Sequence, residues 1–123
     1  MQVELNIGLE RKDGVLPVAT YRQALATLRT AVTLTVDRTY TTRYFKDGES
    51  VEEIGLFVSF PWTASYDELV TLIGLLSIDL GQDCIAVYLP AKGVGALVGP
   101  KAKEWGAFNL EFFKRFDAQG NAV

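Results

Sequence analysis

The chain has 123 residues, a formal net charge of −3, 49% hydrophobic and 22% charged residues. That suits one domain with a core of its own and excludes wholesale disorder. It has no histidine and one cysteine, Cys84, which excludes a Ser-His-Asp or Cys-His catalytic site, a histidine-ligated metal and an intrachain disulfide.

Val3, Leu5, Ile7 and Leu9 alternate with Gln2, Glu4, Asn6, Gly8 and Glu10, the period of a half-buried strand. Arg11 to Gly14 read as a turn, and Pro17 suits a first helical position. Val18, Tyr21, Leu25 and Leu28 then form one apolar stripe on a helix. Val32, Leu34 and Val36 restart period two, so a strand is expected from Val32 through Tyr44. Asp47-Gly48 signals a hairpin. Ile54, Leu56, Val58 and Phe60 alternate on the return strand, which Pro61 and Trp62 close.

Ser65-Tyr66-Asp67-Glu68 matches a capping box. Leu69, Leu72, Ile73, Leu76 and Leu80 follow at helical spacing, and Gly81 is the stop. Asp83 to Leu89 reads as a strand, Pro90 to Gly93 as a turn and Val94 to Val98 as a short strand. A helical stretch opens at Gly99-Pro100. Along it, Trp105, Phe108, Phe112 and Phe116 make an aromatic stripe, with Phe113 beside it. The expected order is βαββαβ, a ferredoxin-like α+β domain: an antiparallel sheet with two helices on one face, extended by the short strand and the aromatic helix. Residues 1–117 form this single domain, and 118–123 are expected to be a flexible tail.

The hairpin register has two readings. A two-residue turn sets Lys46 opposite Glu49, but mixes apolar and polar faces. A shift of one residue sets Val36 opposite Phe60, Tyr40 opposite Leu56 and Arg43 opposite Glu53. Faces then agree, at the cost of a longer loop or a bulge near Gly48. The hydrophobic pattern favours the shifted register. It places Arg38 on the inner face with Val36 and Tyr40, where a cation needs an acidic partner, a bound anion or a position beyond the core.

Few groups carry chemistry. The run Gly93 to Lys101 fails both the dinucleotide and the phosphate-loop patterns, and reads as a hairpin. Asp83 disfavours a Cys84 thiolate. Glu52 and Glu53 point to opposite faces of a strand, and Asp67-Glu68 belong to a helix first turn. Arg38 to Lys46 stands out: three cations and three aromatics with no acid between them. Such a strand can stack on a base or hold a planar anion. Cross-strand pairing with Glu52 and Glu53 explains the cations without any ligand. The candidate ligand-binding residues are Arg38, Tyr40, Arg43, Tyr44 and Tyr88. The candidate interface residues are Phe57, Trp105, Phe108, Phe112 and Phe116. No catalytic residue, cofactor or metal is expected.

Phe57, Ala86 and Tyr88 fall on the sheet face away from the helices, and such a face needs cover. The expected function is therefore a non-catalytic binding or assembly protein, a homo-oligomer. It would hold a protein partner or a small anionic ligand at the 38–46 hairpin or at the subunit interface. An inhibitor or adaptor encoded by a phage or other mobile element fits this description. The alternative is a cofactor-independent enzyme of the ferredoxin-like dimer type using tyrosine, arginine and carboxylates. Its general base would need a strongly shifted pKa. The acidic balance argues against nucleic acid as partner. Leu69 to Leu80 is too short and too interrupted to span a bilayer. Met1 to Glu10 lacks the pattern of a signal peptide. With its lone thiol, the chain is expected in the cytoplasm, its own or a host's.

Overall fold

In a computed structural model of the chain, residues 1–10, 18–103 and 117–121 are described; for Leu9, Glu10, Thr42, Tyr44, Lys46 and Val51 this covers the backbone alone. The protein is a mixed α+β structure. Strand β1 (Gln2–Glu10), helix α1 (Val18–Ala31), β2 (Val36–Lys46), β3 (Glu49–Pro61), α2 (Tyr66–Asp79), β4 (Ile85–Leu89) and β5 (Val94–Val98) follow in that order. The five strands form one sheet, β2-β3-β1-β4-β5, with every neighbouring pair antiparallel.

Alternation in β1 sends Val3, Leu5 and Ile7 to one face, opposite Phe60, Val58 and Leu56 of β3. All six are fully buried. Ile85, Val87 and Leu89 of β4 continue this face, as do Val94, Ala96 and Val98 of β5. Helix α1 packs Ala24, Leu25 and Leu28 into the same core, and α2 adds Leu69, Ile73 and Leu76. Both helices therefore cover one face. At ~25 cal/mol per Å² of apolar surface, this layer is the main source of stability.

Helix α2 starts where the sequence places it. Ser65 is extended (φ −66°, ψ 152°), and its hydroxyl accepts from the Glu68 N–H at 3.4 Å. The helix ends through Gln82 N–H bonded to the Ser77 carbonyl, while the Ser77 hydroxyl donates to the Gln82 carbonyl, both at 2.9 Å. Its outer side keeps Leu75 and Ile78 exposed. The glycine-rich run forms the β4–β5 hairpin, where the Leu89 carbonyl accepts from Lys92 and Gly93.

Two expectations fail at the first hairpin. Strand β2 begins at Val36, not Val32. The Val32 N–H still bonds the Leu28 carbonyl at 2.9 Å, prolonging the helical turn, and Val32 and Leu34 pack against the core from a loop. Their period-two spacing imitates a strand because both close the α1–β2 corner. The register also differs: Lys46 pairs with Glu49, Tyr40 with Gly55, Arg38 with Phe57 and Val36 with Ser59. The turn residues explain this. Asp47 (φ 52°) and Gly48 (φ 78°) are both left-handed, as a two-residue type I′ turn requires.

Turn chemistry wins because β2 is an edge strand and its helix-side positions need not be apolar. Asp37 on that side lies opposite buried Val58, but it is satisfied by α1. The Arg29 guanidinium lies 3.0 Å from its carboxylate, and the Tyr21 hydroxyl donates to it at 3.1 Å. Burial, and then this bond, push the Tyr21 phenol above its usual pKa.

The aromatic stripe of Trp105, Phe108, Phe112 and Phe116 lies outside the described residues. Downstream of it, residues 117–121 form a turn, with Asp117 N–H bonded to the Asn121 carbonyl. The Ala118 carbonyl accepts from the Tyr66 N–H at 3.1 Å, and Lys92 Nζ donates to the Asn121 side chain.

Candidate functional site

The observed register moves Arg38 and Tyr40 from the expected inner face to the sheet face opposite the helices. There they share a surface with Phe57, Gly55 and Ser59 of β3, Glu4, Asn6 and Gly8 of β1, and Ala86 and Tyr88 of β4. The shifted register would have parted Arg38 and Tyr40 from Tyr88. The observed register puts all three on one sheet face, with Tyr88 at its far side.

Arg38 needs no buried acid there. Its guanidinium carbon lies 4.8 Å from the centroid of the Phe57 ring, a cation–π contact worth ~0.5–1 kcal/mol at an exposed site. Phe57 is accordingly half-buried, a platform under the cation rather than bare apolar surface. The next row is built on two glycines. The Tyr40 ring lies across Gly55, in the space that a Cβ would take, and the Glu53 carboxylate lies over Gly8 in the same way. Burial raises the Tyr40 pKa, and the Glu53 charge adds to the rise. At neutral pH the phenol is a proton donor and not a base.

The remaining candidates sit apart. Arg43 is on the helix-side face, where it pairs with Glu52 at 3.3 Å and stays exposed. The two arginines therefore cannot converge on one ligand. The backbone of Tyr44 pairs with Val51; its side chain lies outside the described residues. Tyr88 is exposed and faces Glu4 and Gly95 across its neighbours. Three strand spacings separate β4 from β2, roughly 14 Å, so Tyr88 and Arg38 stand at opposite sides of a broad face. Cys84 is half-buried. Burial pushes its thiol up, and Asp83 pushes it further, which keeps it protonated and unreactive at neutral pH.

A cavity of about 420 Å³ at the α1–β2 corner is lined by Arg29, Val32, Thr33, Leu34, Thr35, Val36 and Asp37. The sequence pattern missed it by reading this stretch as strand. Its charged pair, Arg29 and Asp37, is already mutually satisfied, and the Thr35 N–H donates to the Ser59 carbonyl while its hydroxyl donates to the Gln2 side chain. The exposed Leu75 and Ile78 on α2 were also missed; a helix apolar on nearly every side is the signal that marks them. Among the described residues no cluster of three metal-ligating side chains exists. No helix among them is long and apolar enough to cross a membrane.

What the open face offers is a solvent-exposed cation backed by the Phe57 ring, with a phenol donor beside it. That chemistry suits a carboxylate or phosphate group attached to a flat or apolar body. The sequence matches no known protein family and no curated protein. Among solved structures, a phage SAM lyase in its apo state is similar, with 15% sequence identity and a TM-score of 0.44 over 70% of this chain and 75% of that one. A likeness of that size assigns no activity.

Proposed function

We propose that the chain is a non-catalytic binding and assembly protein. It associates with itself, and it holds an anionic group of a small ligand or partner protein on the open sheet face at Arg38. The observation that carries this reading is the Arg38 guanidinium resting on Phe57 with Tyr40 in the adjacent row. Self-association draws support from the apolar side chains left in solvent, Val36, Tyr88, Leu75 and Ile78. In this reading the domain is a ferredoxin-like βαββαβ unit with β5 added at one edge, and the strand order β2-β3-β1-β4 supports that. It works in a reducing cytoplasm, where the shielded Cys84 stays a thiol. The inhibitor or adaptor role belongs to this reading as well.

The test is an NMR titration with inorganic phosphate and with benzoate, a planar carboxylate. Shifts confined to the Arg38, Phe57 and Tyr40 rows, and lost in Arg38→Ala with an unchanged circular dichroism spectrum, are expected. No shift at millimolar probe, or shifts centred elsewhere, refutes the binding site. Light scattering of the eluting full-length chain tests self-association separately.

A further inference from the structure

Among the described residues, β2 has a strand on one side only. On its other side no described strand pairs with Val36 to Lys46, and the register to β3 is unbroken, without a bulge. The strand also contains no proline. An edge this long and regular is a template for another strand.

The hairpin decides which groups it offers. A two-residue turn makes Lys46 and Glu49 a hydrogen-bonded pair, and such pairs alternate along antiparallel strands. Tyr44, Thr42, Tyr40 and Arg38 therefore turn their backbone groups towards β3. Asp37, Thr39, Thr41, Arg43 and Phe45 turn theirs to the outer edge.

Against a second antiparallel copy of itself, the outward-facing groups meet only when the axis passes through a residue, and among those registers the edge is charge-complementary in one. A two-fold axis at Tyr40 sets Asp37 opposite Arg43 of the second copy, twice by symmetry. It sets Thr39 opposite Thr41, twice, and Tyr40 opposite Tyr40. The outward-facing groups then meet each other, giving about eight backbone hydrogen bonds. Other registers lose this match. An axis between two residues sets outward-facing positions against inward-facing ones and leaves the backbone groups of the edge unmatched. An axis at position 41 makes no ion pair. An axis at position 42 opposes Arg38 to Lys46 and Asp37 to Asp47. Like charges facing each other across strands are destabilising.

We propose that two copies join through their β2 edges about a two-fold axis at Tyr40, forming one continuous sheet. This rests on the self-associating reading above and names its partner and register. At each end of the seam, Arg43, paired with Glu52 in its own chain, meets an Asp37 already held by Arg29 and Tyr21. The result is an alternating row of charges along the helix side of the sheet.

Two variants of the full chain test the proposal. Thr39→Pro removes an N–H that faces the outer edge and is not used within the hairpin. Light scattering should show a dimer for the wild type and a monomer for Thr39→Pro, with circular dichroism unchanged. In a Cys84→Ser background, Tyr40→Cys should oxidise to a disulfide-linked dimer. Facing residues at a non-hydrogen-bonded site have Cα atoms ~4.5 Å apart, within disulfide reach. Thr42→Cys, far from the axis, should cross-link at least tenfold more slowly. An oligomer that survives Thr39→Pro, or one with no preferential cross-link at position 40, overturns the edge proposal and leaves self-association standing. A wild-type monomer at the same concentration overturns both. The cross-link test stands even if Thr39→Pro fails to fold.

Discussion

Replacing Gly55 by alanine puts a methyl group where the Tyr40 ring lies. The obstacle is the far end of a side chain, so the ring swings off the sheet rather than breaking the backbone. A tyrosine buries ~150–250 Å² when fully covered. Tyr40 is half-buried, so about 100 Å² returns to water, an upper limit of ~2.5 kcal/mol at 25 cal/mol per Å². Against this, alanine in a strand interior gains ~0.5–1 kcal/mol over glycine. The net expectation is a loss of ~1.5–2 kcal/mol, seen as a lower urea midpoint at unchanged m-value. The cycle with Tyr40→Ala isolates the cause. In that background the ring is absent, and Gly55→Ala should be neutral or stabilising. The phenol should also titrate nearer 10.0 once exposed, since burial is the larger cause of its rise. A Gly55→Ala protein as stable as the wild type, with an unchanged Tyr40 titration, would refute the account of this row.

Three further outcomes are expected. Gly99 has φ 153°, and a Cβ there would lie 2.6 Å from the Asp83 carbonyl oxygen and the Cys84 Cα; Gly99→Ala should lose ~2 kcal/mol or more in urea unfolding, because backbone must move. Asp37→Ala frees α1 from β2 at a partly exposed site, costing about 1 kcal/mol, and should bring the Tyr21 phenol down in an ultraviolet titration without restoring its ordinary value, since burial is the larger cause. The raised Tyr40 pKa favours the protonated phenol in the folded state, so its contribution is complete below pH 10 and lost as pH climbs through the native value. Urea midpoints should therefore fall more steeply above pH 10 for the wild type than for Tyr40→Phe, and parallel curves would show that Tyr40 is not the group.

Much of this fold is legible in single segments of sequence. The alternation of Val3 to Leu9 gives β1, and Ser65 with Glu68 gives the start of α2, because each pattern is set by one buried face or one cap. The register of β2 is not legible that way. A pattern argument assumes that like faces must match, which holds only where both are covered. On an edge strand, Asp37 opposite Val58 is tolerated because Arg29 and Tyr21 reach down from α1, and no local spacing announces those partners. The Asp47-Gly48 dipeptide held the answer, since its left-handed pair fits a two-residue loop. The candidate face was half legible. Arg38, Tyr40 and Tyr88 stand out by type, but their placement on one surface depends on that register. Gly55 and Gly8, lone glycines in strand interiors, mark where larger side chains lie over the backbone.

The central position of β1 has a consequence for synthesis. Its two neighbours in the sheet, β3 and β4, are both translated after it. At ~5–20 residues per second, Val3 waits roughly 4–17 s before the ribosome has added Tyr88, opposite Glu4. The β2–β3 hairpin closes on itself in about 1–10 μs and is ready long before. Until β3 docks along it the stretch Val3 to Leu9 has neither neighbour, and until β4 follows one of its sides stays open to other nascent chains. The alternate residues Glu4, Asn6, Gly8 and Glu10 interrupt that strand with charge, amide and glycine, features that discourage wrong pairing. The outward positions of β1 thus serve the chain before any sheet exists for them to face away from.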